Sequence, residues 1–274
     1  MRIKNWQLWT ITVVITLLAA VYQRVTGPTW PLYGKVQVGG AEVKFKLLRT
    51  HPGAGDAELA LNVPDKTVGG TLEFRRLRSN DLWAHEALSR AGDFLIARLP
   101  HQPPAGKIMY RIRLVKEGQV PVSLTAEPVI IRFRGDVPPL VLIPHILLMF
   151  AGMLLSNAAA LEALVKGRRV LPYAGWALIA ITAGGLILGP LVQKYAFDAY
   201  WTGWPLGEDL TDNKTAVSVL AWALAVWRLR KAPPARGWVV AAALITMAAF
   251  LIPHSTLGSE LDYTTEAQSA QRIL

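Results

Sequence analysis

The chain has 274 residues, 52% of them hydrophobic and only 18% charged, with a mean hydropathy of +0.31. That balance excludes an ordinary soluble enzyme, and it excludes an intrinsically disordered chain, which would be charge-rich and apolar-poor. The absence of cysteine excludes disulfides, thiolate zinc sites, iron–sulfur clusters, c-type haem attachment and cysteine catalysis, whereas the net charge of +10 says little until it is placed along the chain.

The first apolar run is Trp6–Tyr22, preceded by Arg2 and Lys4. A cleaved signal peptide shares that basic start and apolar core. Here Gln23, Arg24, Val25 and Thr26 follow in place of a small-x-small cleavage site. Residues 1–27 therefore read as a retained transmembrane anchor, its Trp and Tyr ends at the interface. Four more runs lie in the second half: Pro139–Val165, Tyr173–Val192, about Thr215–Trp227, and Trp238–Ile252. The last two fall short of the ~20 apolar residues that a ~30 Å hydrocarbon core needs, so residues at their ends must lie within the membrane boundary. The expected block, 138–254, is a four-helix transmembrane bundle.

Orientation follows from the loops. Arg2, Lys4, Lys166, Arg168, Arg169, Arg228, Arg230, Lys231 and Arg236 all fall on one side. The loop 193–214 sets Lys194 and Lys214 against Asp198, Glu208, Asp209 and Asp212. The positive-inside rule then predicts a cytoplasmic N-terminus, five spans, and an extracytoplasmic tail over 255–274.

Between the first two spans, 34–137 shows period-two alternation in Val43/Phe45/Leu47, Leu59/Leu61/Val63, Ile108/Tyr110/Ile112/Leu114 and Val129/Ile131/Phe133. Gly, Pro, Asn and Asp clusters separate these runs, which predicts about eight short strands in a two-sheet sandwich. The fold class is thus an α+β membrane protein: anchor helix, extracytoplasmic β-sandwich, four further helices. This segment holds sixteen basic and eleven acidic residues. Arg75, Arg76, Arg78, Arg111, Arg113, Arg132 and Arg134 fall at strand spacing and are expected on solvated sheet faces. An extracytoplasmic address argues against nucleic acid; anionic lipid headgroups or an acidic partner suit a basic face better.

Three features could carry chemistry on the outer side. Leu142-Ile143-Pro144-His145 and Leu251-Ile252-Pro253-His254 echo each other at the outer ends of two spans. Ionisable residues at membrane depth are functional candidates, and neutral imidazole ligates haem and metals; two interfacial histidines bonded to backbone or water are the alternative. Met149 and Met153 share a helix face with His145, as Met247 does with His254, either as soft ligands or as packing between helices. The outer loop carries Trp201 and Trp204 and then Glu208, Asp209 and Asp212 just before span four. Asp212 or Thr211 can cap that helix, which leaves further acids for a hard cation or for ion pairs with Lys194 and Lys214. Gly184-Gly185 and Gly189-Pro190 suit close helix packing or a kink, and Asn157 with Glu162 could form a polar relay.

The stretches GTLEFRRLRSNDLWAHEAL and GDFLIARLPHQPPAGKIMYRIRL resemble immunoglobulin-like or fibronectin-type modules, with a Trp-bearing strand, a Pro/Gly turn and a Tyr-bearing strand. That resemblance covers about a third of the chain and implies a fold rather than an activity. The WTGWPLGEDLTDNKT loop and the PHSTLGSELDY tail resemble a group of bacterial inner-membrane proteins without an assigned activity, in which a β-sandwich precedes a four-helix block. The loop is also similar to the haem-holding loop of cytochrome c maturation proteins, but reads Trp201-Thr202-Gly203-Trp204-Pro205 where that family has WGxxWxWD. No nucleophile elbow, zincin, phosphate-loop or dinucleotide motif occurs. The expected role is a non-enzymatic subunit or scaffold of an envelope complex in the bacterial inner membrane, its sandwich docking a protein partner. The other reading is a membrane protein of electron transfer or cofactor assembly, with haem b or a metal held by His145, His254, Trp201 and Trp204 and a cation by Glu208, Asp209 and Asp212.

Overall fold

The computed structural model describes residues 4–232, 235–253, 258 and 261–264. The chain divides into two compact units: a helical unit, Met1–Pro28 with Val137–Ser259, and a β unit, Thr29–Asp136 with Glu260–Leu274.

The helical unit contains α1 (Asn5–Thr26), α2 (Pro139–Leu164), α3 (Val170–Ile181), a π-helical segment (Thr182–Leu188), α4 (Gly189–Phe197), α5 (Leu210–Lys231) and α6 (Arg236–Leu251). Three helices are long and apolar enough to cross a membrane: Asn5–Thr26, Pro139–Leu164 and the continuous Val170–Phe197. They mark the chain as a membrane protein. At 1.5 Å per residue α5 spans about 33 Å, but it carries charges at both ends; α6 is apolar and spans only about 24 Å.

Helix packing relies on small side chains. Ala159, Ala163, Ala174, Ala177, Ala225, Ala242 and Ala243 are buried around Trp222, which lets backbones approach closely. Trp222 Nε1 donates to Thr246 Oγ1 at 2.8 Å, joining α5 to α6. In α1 the buried residues Leu8, Thr12, Thr16 and Ala19 lie on one face. Thr16 returns its own hydroxyl proton to Thr12 O and accepts Asn157 Nδ2 at 3.0 Å, so α1 is hydrogen-bonded to α2.

The π segment lies where the glycines and proline of the sequence predict a departure from straight helix. Pro190 lacks the N–H that would reach back to Leu186, which frees a carbonyl and favours a widened turn. Gly184 faces Leu148 and Met149, and Gly185 faces Thr215; a Cβ on either would stand closer than 3 Å to a neighbouring side chain.

Among the described residues the β unit has eleven strands: β1 (Leu32–Val38), β2 (Ala41–Leu47), β3 (Thr50–Pro52), β4 (Ala57–Asn62), β5 (Val68–Arg76), β6 (Ala84–Ala87), β7 (Ser89–Ala91), β8 (Phe94–Leu99), β9 (Lys107–Lys116), β10 (Val122–Ser123) and β11 (Val129–Arg134). β1 and β2 form a hairpin through Gly39-Gly40, both at positive φ as a two-residue turn of this kind demands. The largest sheet runs β3-β11-β9-β5-β6, with β10 added to β9; β3 pairs with β11 in parallel, every other pair being antiparallel. A third sheet runs β4-β8-β7.

One hydrophobic core joins all three sheets: Val43, Phe45 and Leu47 from the hairpin, Leu59, Leu61, Leu95 and Leu99 from the third sheet, and Ile108, Tyr110, Ile112, Leu114, Ile131 and Phe133 from the largest. These are the residues whose alternation stands out in the sequence. Tyr110 buries its ring and donates its hydroxyl to Leu48 O at 2.8 Å, which removes the cost of an unpaired polar atom.

Two expectations need correction. Arg132 is not on a solvated face: it is 5% exposed, on a strand that also buries Ile131 and Phe133. Trp83 is not on a strand: it precedes β6, in the loop after β5. The last described residues also belong to the β unit. Tyr263 is buried, donates its N–H to Arg78 O at 3.0 Å and its hydroxyl to Gln102 Oε1 at 3.1 Å, and lies under the Arg76 guanidinium.

Candidate functional site

Two clusters, one in each unit, bring chemistry-bearing side chains together. In the helical unit the cluster forms around the 198–209 loop and the start of α5. Asp209 is the N-cap of α5: its Oδ1 accepts Thr211 N–H at 2.8 Å. The cap expected at Asp212 or Thr211 is thus displaced, because the helix begins a turn ahead of the apolar run that reveals it in the sequence. Asp212 does something else. Its Oδ2 accepts the backbone N–H of Thr202 at 2.7 Å and of Gly203 at 3.0 Å, which closes the loop onto the helix.

Neighbouring polar groups complete the closure. Asn213 Oδ1 accepts Trp204 N–H at 2.7 Å, Gln193 Nε2 donates to Thr202 Oγ1 at 2.6 Å, and Thr202 Oγ1 lies 3.2 Å from Asp209 Oδ2. Gly203 has no room for a side chain, since a Cβ there would meet Asp212 Cβ at 2.6 Å. Trp201 Nε1 donates to Trp204 O, the Trp204 side chain is 77% exposed, and Glu208 is exposed. Of the two lysines, Lys194 pairs with Asp198 at 2.6 Å. Lys214 is buried and donates to Ile252 O at 2.6 Å, beside a cavity of about 20 Å³ lined by Met149, Ile181, Thr215, Ser218, Ala249 and Phe250.

His145 Nδ1 lies 2.8 Å from Gly184 O, in the π segment. A carbonyl only accepts, so Nδ1 carries the proton and Nε2 is the nitrogen left for a ligand. Met149 lies against Gly184 and Gly185, Met153 is buried, and His254 lies outside the described residues. Asn157 bonds Thr16 while Glu162 accepts Arg169 N–H, so they serve different contacts. Among the described residues, no three His, Asp or Glu side chains gather in a way that could hold a metal ion.

The second cluster is the outward face of the largest β sheet. In β9, Ile108, Tyr110, Ile112 and Leu114 point into the core, so Met109, Arg111 and Arg113 point out. The register sets Glu73 of β5 beside Arg111 and beside His85 of β6. Glu73 is buried by these neighbours, 3.1 Å from Arg113, 3.8 Å from His85 and 4.0 Å from Arg111. Trp83 lies between two guanidiniums: Arg75 at 5.1 Å from its ring centroid and Arg111 at 5.0 Å.

The loop that presents Trp83 is pinned. Arg76 clasps Asp81 through two hydrogen bonds, 2.7 and 2.9 Å, and Ser79 Oγ donates to Arg76 O. Next to it Leu82 is 90% exposed. The sequence places the arginines at strand spacing but does not join them to Trp83, because no periodic pattern links a loop residue to two strands. The one available signal is Trp-Ala-His at the mouth of a short, exposed strand.

Comparison with protein-family models, with curated proteins and with solved structures finds no match to this chain.

Two outcomes follow from this geometry. Asp212→Ala leaves two loop N–H groups without their acceptor and should cost about 1–3 kcal/mol, read as a lower melting temperature of the solubilised chain. Asp212→Asn keeps a carbonyl oxygen and should lose less; equal losses would show that the negative charge, not the acceptor, closes the loop. At the sheet, the Arg76 hydrogen bonds hold the Asp81 carboxyl below the usual carboxylate range against the opposing pull of partial burial. Its contribution is therefore complete above the unfolded value of about 3.9 and fades as pH falls through the lower folded value. Asp81→Asn should lower the melting temperature at neutral pH, and the gap to wild type should close as the solution is acidified below that range.

Proposed function

We propose that this chain is a non-enzymatic docking subunit of a bacterial envelope complex, held in the inner membrane by five spans and presenting an immunoglobulin-like sandwich outside. One observation carries the docking role: the outward sheet face with Trp83 held between Arg75 and Arg111, beside an exposed Leu82 on a pinned loop. Tryptophan and arginine dominate the energetics of protein interfaces, and a monomer gains little by holding both rigid at its surface.

The sandwich reading is supported by strand order. The largest sheet and the β4-β8-β7 sheet share one core, as the G-F-C and B-E-D strands of immunoglobulin domains do. The topology reading rests on parity. Tyr263 follows α6 yet belongs to the β unit, so the chain between must cross the membrane an even number of times. α2 and Val170–Phe197 supply two crossings, so α5 and α6 either both cross or both stay out. Their burial around Trp222 with α3 favours crossing, and the basic residues between them favour the cytoplasm. The hydrogen bond from Asn157 to Thr16 favours keeping α1 as an anchor.

The outer loop fits a structural closure in this reading. Asp209, Asp212 and Asn213 direct their oxygens at the backbone of their own segment.

Cysteines introduced at Ser79 and Thr202 should react with an impermeant thiol reagent in intact cells, and one at Ala235 should not; labelling at Ala235 would reverse the orientation. For function, a photo-crosslinking residue at Leu82 should capture a discrete protein in cells, while one at the exposed Lys44 of β2 should not. No adduct from Leu82 would remove the docking role from this face.

A further inference from the structure

Resting on that docking reading, we infer that the outward sheet face binds an acidic, extended protein segment, which lies along the edge strand β6 and sets its carboxylates on Arg75 and Arg111. The charge balance comes first. Around Trp83 and Glu73 this face carries three arginines, Arg75, Arg111 and Arg113, and among the described residues the carboxylate that pairs with them is Glu73. Glu73 lies nearest Arg113 at 3.1 Å, and Arg111 only at 4.0 Å; among the described residues no carboxylate lies within ion-pairing distance of Arg75. Two positive charges are left on a patch with one acid.

Those two guanidiniums are also prepared for a planar anion. Each sets its guanidinium carbon about 5 Å from the centre of the Trp83 ring, and the Nε atoms of both are buried without a hydrogen-bond partner, so their Nη groups are what an incoming group meets. A guanidinium held against a ring in this way presents its fork to a carboxylate with less freedom to lose on binding than a mobile side chain.

The shape of the partner follows from the sheet. β6 ends the strand order, all four of its residues are exposed, and no described strand pairs with its far side. An open edge accepts an extended segment through backbone hydrogen bonds, and its alternate side chains then lie over the same face. Register supports this geometry. Phe74 pairs with Ala84 and Glu73 with His85, so Trp83 falls opposite Arg75 at the entrance to the edge. Leu82 beside it offers an apolar contact. A lipid surface would use the charge but not the edge or the single pinned Trp.

The test uses the full chain in zwitterionic nanodiscs. Its probe is a fluorescein-labelled eight-residue peptide of alternating Glu and Val, with the Lys–Val peptide as counterpart and phosphatidylglycerol vesicles as a separate arm. Anisotropy should show binding of the Glu–Val peptide, weakened at least tenfold in R75Q/R111Q and more than tenfold by raised salt, with little binding of the Lys–Val peptide. The charge-reversed R75E/R111E should prefer the Lys–Val peptide, a gain that misfolding would not produce. Undiminished binding in R75Q/R111Q, or no binding by the wild type, would overturn the inference, as would capture of the vesicles without the peptide. Leu82 crosslinks that persist in R75Q/R111Q would leave the docking role standing and overturn its acidic partner, so the two failures are distinguishable.

Discussion

The return of the chain to its own β unit constrains everything between. Tyr263 is buried there, its hydroxyl on Gln102 and its ring under Arg76, more than 120 residues after β11 leaves that unit. A short contact closing so long a loop must outweigh an entropy cost that grows only slowly with length, so a single aromatic anchor with two hydrogen bonds is a reasonable closure. On the proposed topology its consequence is arithmetic: the crossings between the two parts of the β unit are even in number. The contact also stiffens the surface that matters, because Arg76 meets Tyr263 on one side and clasps Asp81 on the other.

On the proposed topology α5 and α6 cross together, so α5 would be a span despite its composition. Taken alone, a helix with Asp212 and Lys214 near one end and three basic residues at the other is a poor membrane segment. The local bonds explain how it is accommodated. Asp209 caps it, Asp212 holds the loop, Lys214 donates a hydrogen bond to Ile252 O, and Ser218 back-bonds to Lys214 O. Each polar group named at this end of the helix has a partner. What faces the other helices is Trp222, Ala225, Val226 and Leu229.

How much of this is legible in the sequence depends on whether periodicity reports it. Val43/Phe45/Leu47 and Ile108 to Leu114 become core strands because alternation and one-sided burial are the same fact seen twice. The apolar run Pro139–Val165 becomes a helix ending at Leu164, read from length and hydropathy where no alternation exists. The start of α5 is misread by a turn, since its first residues are polar and hydropathy ignores capping. The paired His145 and His254 show the opposite limit. An echo of four residues says nothing of what each imidazole meets, and His145 meets a carbonyl in a π turn that only Gly184 and Pro190 hint at. Trp83 is least legible of all, because its neighbours come from β5 and β9, which sequence separation hides.

Why a surface should hold a tryptophan between two arginines is a question of energy. Cation–π contact at an exposed site is worth about 0.5–1 kcal/mol, which stabilises the arrangement without burying it. Two like charges drawn toward one ring also repel, and that repulsion is relieved when a carboxylate arrives. Glu73 already does this for Arg113 and, less closely, for Arg111, from inside the sheet. Among the described residues no carboxylate gives Arg75 such relief. The face is therefore electrostatically incomplete at the position nearest the open edge of β6, where an incoming strand brings its side chains. The edge and the uncompensated charge coincide because β5 carries Arg75 at the register that β6 leaves to Trp83.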